Sequence, residues 1–159
     1  MPWGMFTQTT QIVNLLTRNN TTTATIDISG GMTERIKLIQ RGKYDVTPIP
    51  MTQYPCVLVR ATGKDPDEFE HLGSCNNKRQ QYANFEIVPI VQQRNHNTSE
   101  GDHYKAASNI EALFRSKISL SSTVNDAMVN GVEYDAEATS EEFHNTFSII
   151  GLRAHKLSD

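Results

Sequence analysis

Apolar positions fall in their most regular pattern between Tyr54 and Val91. Val57 and Val59 alternate with Cys56, Leu58 and Arg60, so both faces of this run are at least partly apolar, which predicts a strand inside a sheet. A second run, Lys78 to Val91, places Ala83, Phe85, Ile87 and Val91 on one face and Tyr82, Asn84, Glu86, Val88 and Ile90 on the other. Its early half should be half-exposed and its later half buried. Pro89 cannot donate to a ladder and predicts an edge, a bulge or a bend, and we expect the strand to bend there. Between the runs, Asp65-Pro66-Asp67-Glu68-Phe69-Glu70 reads as a helical turn, with Pro66 at its first position and carboxylates at its positive end. Gly73 closes it, and Phe69 and Leu72 pin it inward.

Ahead of this ribbon, Ile12, Val13, Leu15 and Leu16 recur at helical offsets and predict a helix over Thr7 to Arg18, with Thr7 or Thr10 as N-cap. The β-branched stretch from Asn19 to Ser29 predicts a half-buried or edge strand. Gly30-Gly31 lets the chain turn, and Met32 to Gln40 carries apolar residues at near-helical offsets before Arg41-Gly42. Lys43 to Gln53, with Pro48 and Pro50, reads as an extended surface connector.

Beyond the ribbon, Gln92 to Gly101 is polar and turn-rich and reads as a loop. Asp102 caps a helix whose apolar face is Ala106-Ala107, Ile110, Leu113-Phe114 and Ile118. Ser119 to Asn130 suits a short helix or a looping connection, Gly131 to Asp135 a short strand, and Ala136 to Glu142 a polar turn. Phe143 to Lys156 is the last strand, internal, with Phe143, Phe147 and Ile149 on one face and Ile150 and Leu152 on the other. The order predicts an α+β fold: an antiparallel-rich mixed β-sheet with helices packed mainly on one face. We expect a single domain over 1–159, in which residues 1–53 supply the N-terminal helix, Thr-rich strand and connector, and 54–159 the sheet-and-helix core.

Composition narrows the partners. Hydrophobic residues make up 37% of the 159-residue chain, which is low for a globular domain, so part of the stability should come from association. A formal net charge of −3 provides no basic field to draw phosphates onto the surface. No apolar run approaches the roughly 20 residues that span a bilayer, and the charged-then-apolar order of a signal peptide is missing, so a soluble chain without a membrane partner is expected. Cys56 and Cys75 are expected as free thiols in a reducing cytoplasm, Cys56 buried in its strand and Cys75 in a turn.

Signals for chemistry are weak. His71, His96, His103, His144 and His155 are scattered without zinc-ligand spacing, and solvated surface histidines account for His71 and His103. The cluster Asp65, Asp67, Glu68 and Glu70 lacks the glycine and the twelfth ligand of a calcium loop. Gly30-Gly31 lacks the rest of a phosphate-binding loop, and Ser108, Ser116 and Ser121 lie in no nucleophile elbow. No enzyme activity, metal or cofactor is expected.

The run Tyr54-Pro55-Cys56-Val57-Leu58-Val59, then Asp67-Glu68-Phe69-Glu70-His71-Leu72-Gly73, then the basic-to-apolar strand from Lys78 to Val91, resembles the tail terminator proteins of long-tailed bacteriophages. The order downstream is similar as well: a helix at Tyr104 to Ile118, a short strand around Val132-Glu133-Tyr134, and a closing strand from Phe143 to Leu152. The resemblance covers Tyr54 to Leu157, while the Thr-rich stretch and Gly30-Gly31 depart from the family pattern. It implies a structural virion protein, made in the host cytoplasm, whose homohexameric ring caps the tail tube, stops its polymerisation and docks the head connector or a head-completion protein. DNA would pass through the ring without specific binding. Expected contact residues lie in the Arg60 to Lys78 connector and the 92–101 loop, namely Arg60, Asp65, Asp67, Glu68, Glu70, Lys78, Arg79, Arg94 and His96. Another neck or tail subunit, such as a head-completion or tail-tube protein, and a small ligand-binding α+β domain are the alternatives.

Overall fold

The computed structural model describes residues 4–44, 46–65, 68–71, 77–93, 96–116, 126–138 and 144–158. Its elements are α1 (Met5–Arg18), β1 (Leu38–Arg41), β2 (Cys56–Lys64), β3 (Glu68–His71), β4 (Asn77–Gln93), α2 (His96–Ser116), β5 (Asp126–Ala138) and β6 (His144–Ser158), with a short 3-10 turn at Met51–Gln53. The fold is α+β. One mixed sheet runs in the order β1-β2-β4-β6-β5, with β3 added to β4. Among the described residues only the β1 and β2 pair is parallel, and the other pairings are antiparallel.

The ribbon forms as expected at both ends. Cys56↔Ile90 through Lys64↔Ala83 pair β2 with β4, with a register shift between Ala61 and Gly63. The connector does not form a helical turn, because Glu68 to His71 pair with Gln80 to Asn77 as strand β3. The Asp65 amide already donates to the Tyr82 carbonyl at 3.0 Å, so the chain leaves β2 still on the β4 ladder. Continuing a ladder satisfies each backbone group in turn, and this outweighs the local preference of Pro66 and the carboxylates for a helix start. Phe69 takes a place in β3, and Leu72 and Gly73 lie outside the described residues.

Pro89 occupies an interior strand. It faces Val57 in the unbroken β2 register, while the β4 and β6 ladder pairs as far as Ile87↔Ile150 and resumes at Ile90↔Phe147. No register shift accompanies the gap, so the missing donor costs pairs within the sheet and introduces no bulge.

Strand alternation separates two cores. Val57, Val59, Ala83, Phe85, Ile87, Ile150, Leu152 and Ala154 face the helices, where Ile12, Leu15 and Leu16 of α1 and Ala106, Ala107, Ile110, Leu113 and Phe114 of α2 bury against them. Cys56, Leu58, Val88, Ile90 and Phe147 face the other way, under Tyr44, Ile49 and Tyr54 of the 43–54 connector. That connector is therefore more than surface chain: it covers the part of the second face formed by Cys56, Leu58, Val88, Ile90 and Phe147.

Several local expectations fail, each for a tertiary reason. Helix α1 starts at Met5, and its N-cap Gly4 contributes no side-chain bond. The threonines bond backward within the helix, Thr9 to the Met5 carbonyl at 2.7 Å and Thr10 to that of Phe6 at 2.8 Å. The Thr-rich stretch is a series of turns with no strand. Its short polar side chains offer the backbone alternatives to a ladder. Asn20 Nδ2 donates to the Ile36 carbonyl (2.9 Å), the Ile36 amide to Ser29 Oγ (3.0 Å), and the Ser29 hydroxyl to Asn20 Oδ1. Ile28 and Ile36 are buried, which anchors the loop they flank. Gly31, at φ 77°, supplies the left-handed turn.

Of the Met32 to Gln40 run read as near-helical, residues 38–40 form β1 together with Arg41 instead, since the Lys37 amide reaches the Pro55 carbonyl at 2.8 Å and starts a parallel ladder on β2. Helix α2 begins at His96, so the expected 92–101 loop is divided between the end of β4 and the first turns of α2. Asp102 is not the helix cap. It is buried and accepts from the Thr33 amide (3.0 Å) and hydroxyl (3.2 Å), capping the glycine turn from across the fold. Ile118 lies outside the described residues. The described part of 119–130 is strand, because Asp126 to Val129 pair with β6, and β5 runs on to Ala138 across a register shift between Val129 and Gly131. Strand β6 is internal, with Phe147 and Ile149 on one face and Ile150 and Leu152 on the other, as expected.

Candidate functional site: the open polar face of the sheet

Among the described residues, the second face is covered where the connector lies. Beyond it, the same alternation that buries Leu58, Val88 and Phe147 presents Arg60, Thr62, Tyr82, Asn84, Glu86, Arg153 and His155. Arg60 and Glu86 sit directly opposite in the β2 and β4 register, and Arg60 Nε lies 2.7 Å from Glu86 Oε2. Asp65 accepts from an Arg153 guanidinium nitrogen at 2.8 Å and from Asn84 Nδ2 at 3.2 Å. The Arg153 guanidinium lies 4.1 Å over the Tyr82 ring, and that ring stacks on His155 at 4.9 Å. His155 Nδ1 is 3.5 Å from Asp126 Oδ2.

A shallow depression of about 370 Å³ crosses this face between Thr62, Asn84, Glu86, Gly131, Glu133 and Gly151. Gly131 leaves open space where a side chain would stand, Gly151 leaves room for the Asn130 amide that packs over it, and β2 and β5 both slip register here. Cations and carboxylates are paired across the face, so it holds mixed charge without a concentrated field. Such a surface suits a polar protein contact better than proton transfer, which needs a titratable group poised over a substrate.

The expected contact residues divide. Arg60 and Asp65 both lie on this face, each held by an ion pair to a residue outside the expected set, Glu86 and Arg153. Glu68, Glu70, Lys78 and Arg79 lie where β3 meets β4, and the register sets Glu70 opposite Lys78 and Phe69 opposite Arg79. His96 opens α2 at the other end of β4. At roughly 3.3 Å per residue, the ends of β4 are about 50 Å apart, so the two expected contact regions are two surfaces and not one. Asp67 and Arg94 lie outside the described residues. Arg153 and His155 were missed, although extending the alternation of Phe147 and Ile149 by two and three steps places both on this face.

One chemically suggestive pair lies in the interior. His103 Nδ1 and Ser148 Oγ are 2.7 Å apart, with His103 1% and Ser148 0% exposed. His103 is thus not the solvated histidine its sequence position suggests. Neither residue lines the depression. Shut away from solvent, the pair ties α2 to β6, and His103 also packs on Tyr104 at 4.4 Å. Cys56 is free and fully buried, and burial pushes its thiol up to about 12, which keeps it neutral. Cys75 lies outside the described residues, as do the side chains of His71, His96 and His144. Among the described residues no three His, Cys, Asp or Glu side chains assemble as a metal site, and no helix is long and apolar enough to cross a membrane.

No protein-family model matches the chain, and comparison with curated proteins returns no significant match.

Proposed function

We propose that this chain is a structural virion protein, a tail terminator whose homohexameric ring caps the tail tube, stops its polymerisation and offers the docking face for the head connector. The observation that carries this reading is the order of elements from Tyr54 onward: a long ribbon, then helix α2, then the strand pair β5 and β6, the order on which the resemblance rests. Two features favour an assembly role over catalysis. The polar face pairs its charges internally, and the Ser148 and His103 pair is sealed in the core. A ring of acidic chains at net charge −3 would let DNA pass without holding its phosphates.

The test is capping. Purified protein is added to growing tail tubes, and tube length and end structure are followed by electron microscopy. A six-fold ring at one tube end and arrested growth are expected. Indefinite polymerisation of the protein itself would replace this reading with that of a tube subunit. No tube affinity together with a bound small molecule would replace it with that of a ligand-binding domain.

A further inference from the structure

Only one asparagine of the chain is followed by glycine, at Asn130-Gly131. The pair falls on the irregularity of β5. Val129 faces Leu152 and Gly131 faces Gly151, so Asn130 is the extra residue of a bulge and has no partner on β6. A bulged residue leaves the extended conformation of its neighbours, and in the common form it turns toward the helical region. Strand β5 is also the last in the sheet order, so among the described residues no second strand braces it.

We propose that Asn130 is a site of spontaneous deamidation, a covalent change of the open face that the folded chain permits. In this reaction the Gly131 backbone nitrogen attacks Asn130 Cγ, the new N–C bond closes a five-membered succinimide, and the side-chain nitrogen leaves as ammonia. Water, the one co-reactant, then opens the ring at either carbonyl. One opening gives aspartate. The other gives isoaspartate, in which the backbone runs through the side-chain carbons.

Three features of the fold favour ring closure here. Gly131 has no Cβ to crowd the attacking nitrogen, and one added there would meet nothing within 4 Å. Asn130 is exposed, so water reaches the reacting atoms. Its carboxamide is also not tied down. Those of Asn20, Asn84 and Asn109 donate to the Ile36 carbonyl (2.9 Å), the Asp65 carboxylate (3.2 Å) and the Gly30 carbonyl (2.9 Å). The Asn130 carboxamide lies over Gly151 and makes no hydrogen bond among the described residues. Asn130 lines the depression with Glu86 and Glu133, so either product adds a third carboxylate there. Isoaspartate also adds a methylene to the β5 backbone where its register already slips.

The inference does not depend on the terminator reading. Its test is timed incubation, in mildly alkaline buffer, of the folded protein and of the same chain unfolded in guanidinium chloride, with peptide mapping by mass spectrometry. Asn130 is expected to convert before any other asparagine, and in the folded protein within about tenfold of its rate in the unfolded chain, since an edge strand opens locally at little cost. Gly131→Ala has room for its methyl group and should slow conversion about tenfold by crowding the nitrogen. Thermal melts check that this variant folds; if it does not, Asn130→Gln, which must close a six-membered ring, serves with the same readout. Conversion in the folded protein slower than in the unfolded chain by more than about tenfold overturns the proposal, because the fold would then protect the site. Earlier conversion at another asparagine, or an undiminished rate in the variant, overturns it as well.

Discussion

The two faces of the sheet draw on the same strands and end in different states. On the helix side, Phe85, Ile87, Ile150 and Leu152 meet α1 and α2 in one continuous core. On the other side, Leu58, Val88, Ile90 and Phe147 are sheltered by the irregular connector through Tyr44, Ile49 and Tyr54, and among the described residues the remainder is uncovered and ion-paired. A regular helix excludes water along its whole length, whereas a connector covers only the positions its few large side chains reach. The face left partly uncovered is therefore available for contact without loss of the fold.

Core truncation should separate the faces most. Phe85→Ala is expected to cost about 4–5 kcal/mol in urea denaturation, since neither helix can collapse into the cavity, and Leu58→Ala about 2–3 kcal/mol, since the connector can. Equal costs would mean that the connector is as rigid as the helices. Next comes a polar contact on the helix face. Ser148→Ala removes the partner of a buried His103 nitrogen and should cost about 1–3 kcal/mol, measured the same way. On the open face, the Arg153 and Asp65 pair, each side chain about 40% exposed, should show a coupling of only about 0.2–1 kcal/mol in a double-mutant cycle. A coupling as large as the Ser148 effect would end the distinction between a sealed and an open face.

The smallest effect concerns the N-terminal loop. Arg35 donates to both Asp27 oxygens, at 2.8 and 2.9 Å, and holds that carboxyl below its usual value, against the opposing effect of burial and with help from the Ser29 amide. A carboxyl lowered on folding stabilises the native state above its unfolded value of about 3.9, and that stability is lost as pH falls through the lower folded value. Asp27→Asn should accordingly flatten the acid limb of the stability profile below about pH 4, and an unchanged limb would show that the pair contributes nothing.

Where strands alternate, the chain was legible. The faces of β2, β4 and β6 and the buried face of α2 agree with the pattern of Val57, Phe85, Phe147, Ile150 and Ile110. Periodicity failed where polar side chains found distant partners. Asp102 reads as a helix cap until Thr33 is brought to it, and Asn20 reads as part of a strand until Ile36 and Ser29 close around it. Arg60 and Asp65 were visible as charged residues, but Glu86 and Arg153, which fix their geometry, lie 26 and 88 residues away.

By itself the sequence determined which residues share a face, because alternation is a property of the chain in any extended conformation. Only the tertiary structure decided that 68–71 would be strand and that the Thr-rich stretch would not. Each of these depends on which distant backbone or side chain satisfies a polar group, and that choice is made when the sheet closes its ladders and the helices settle on it.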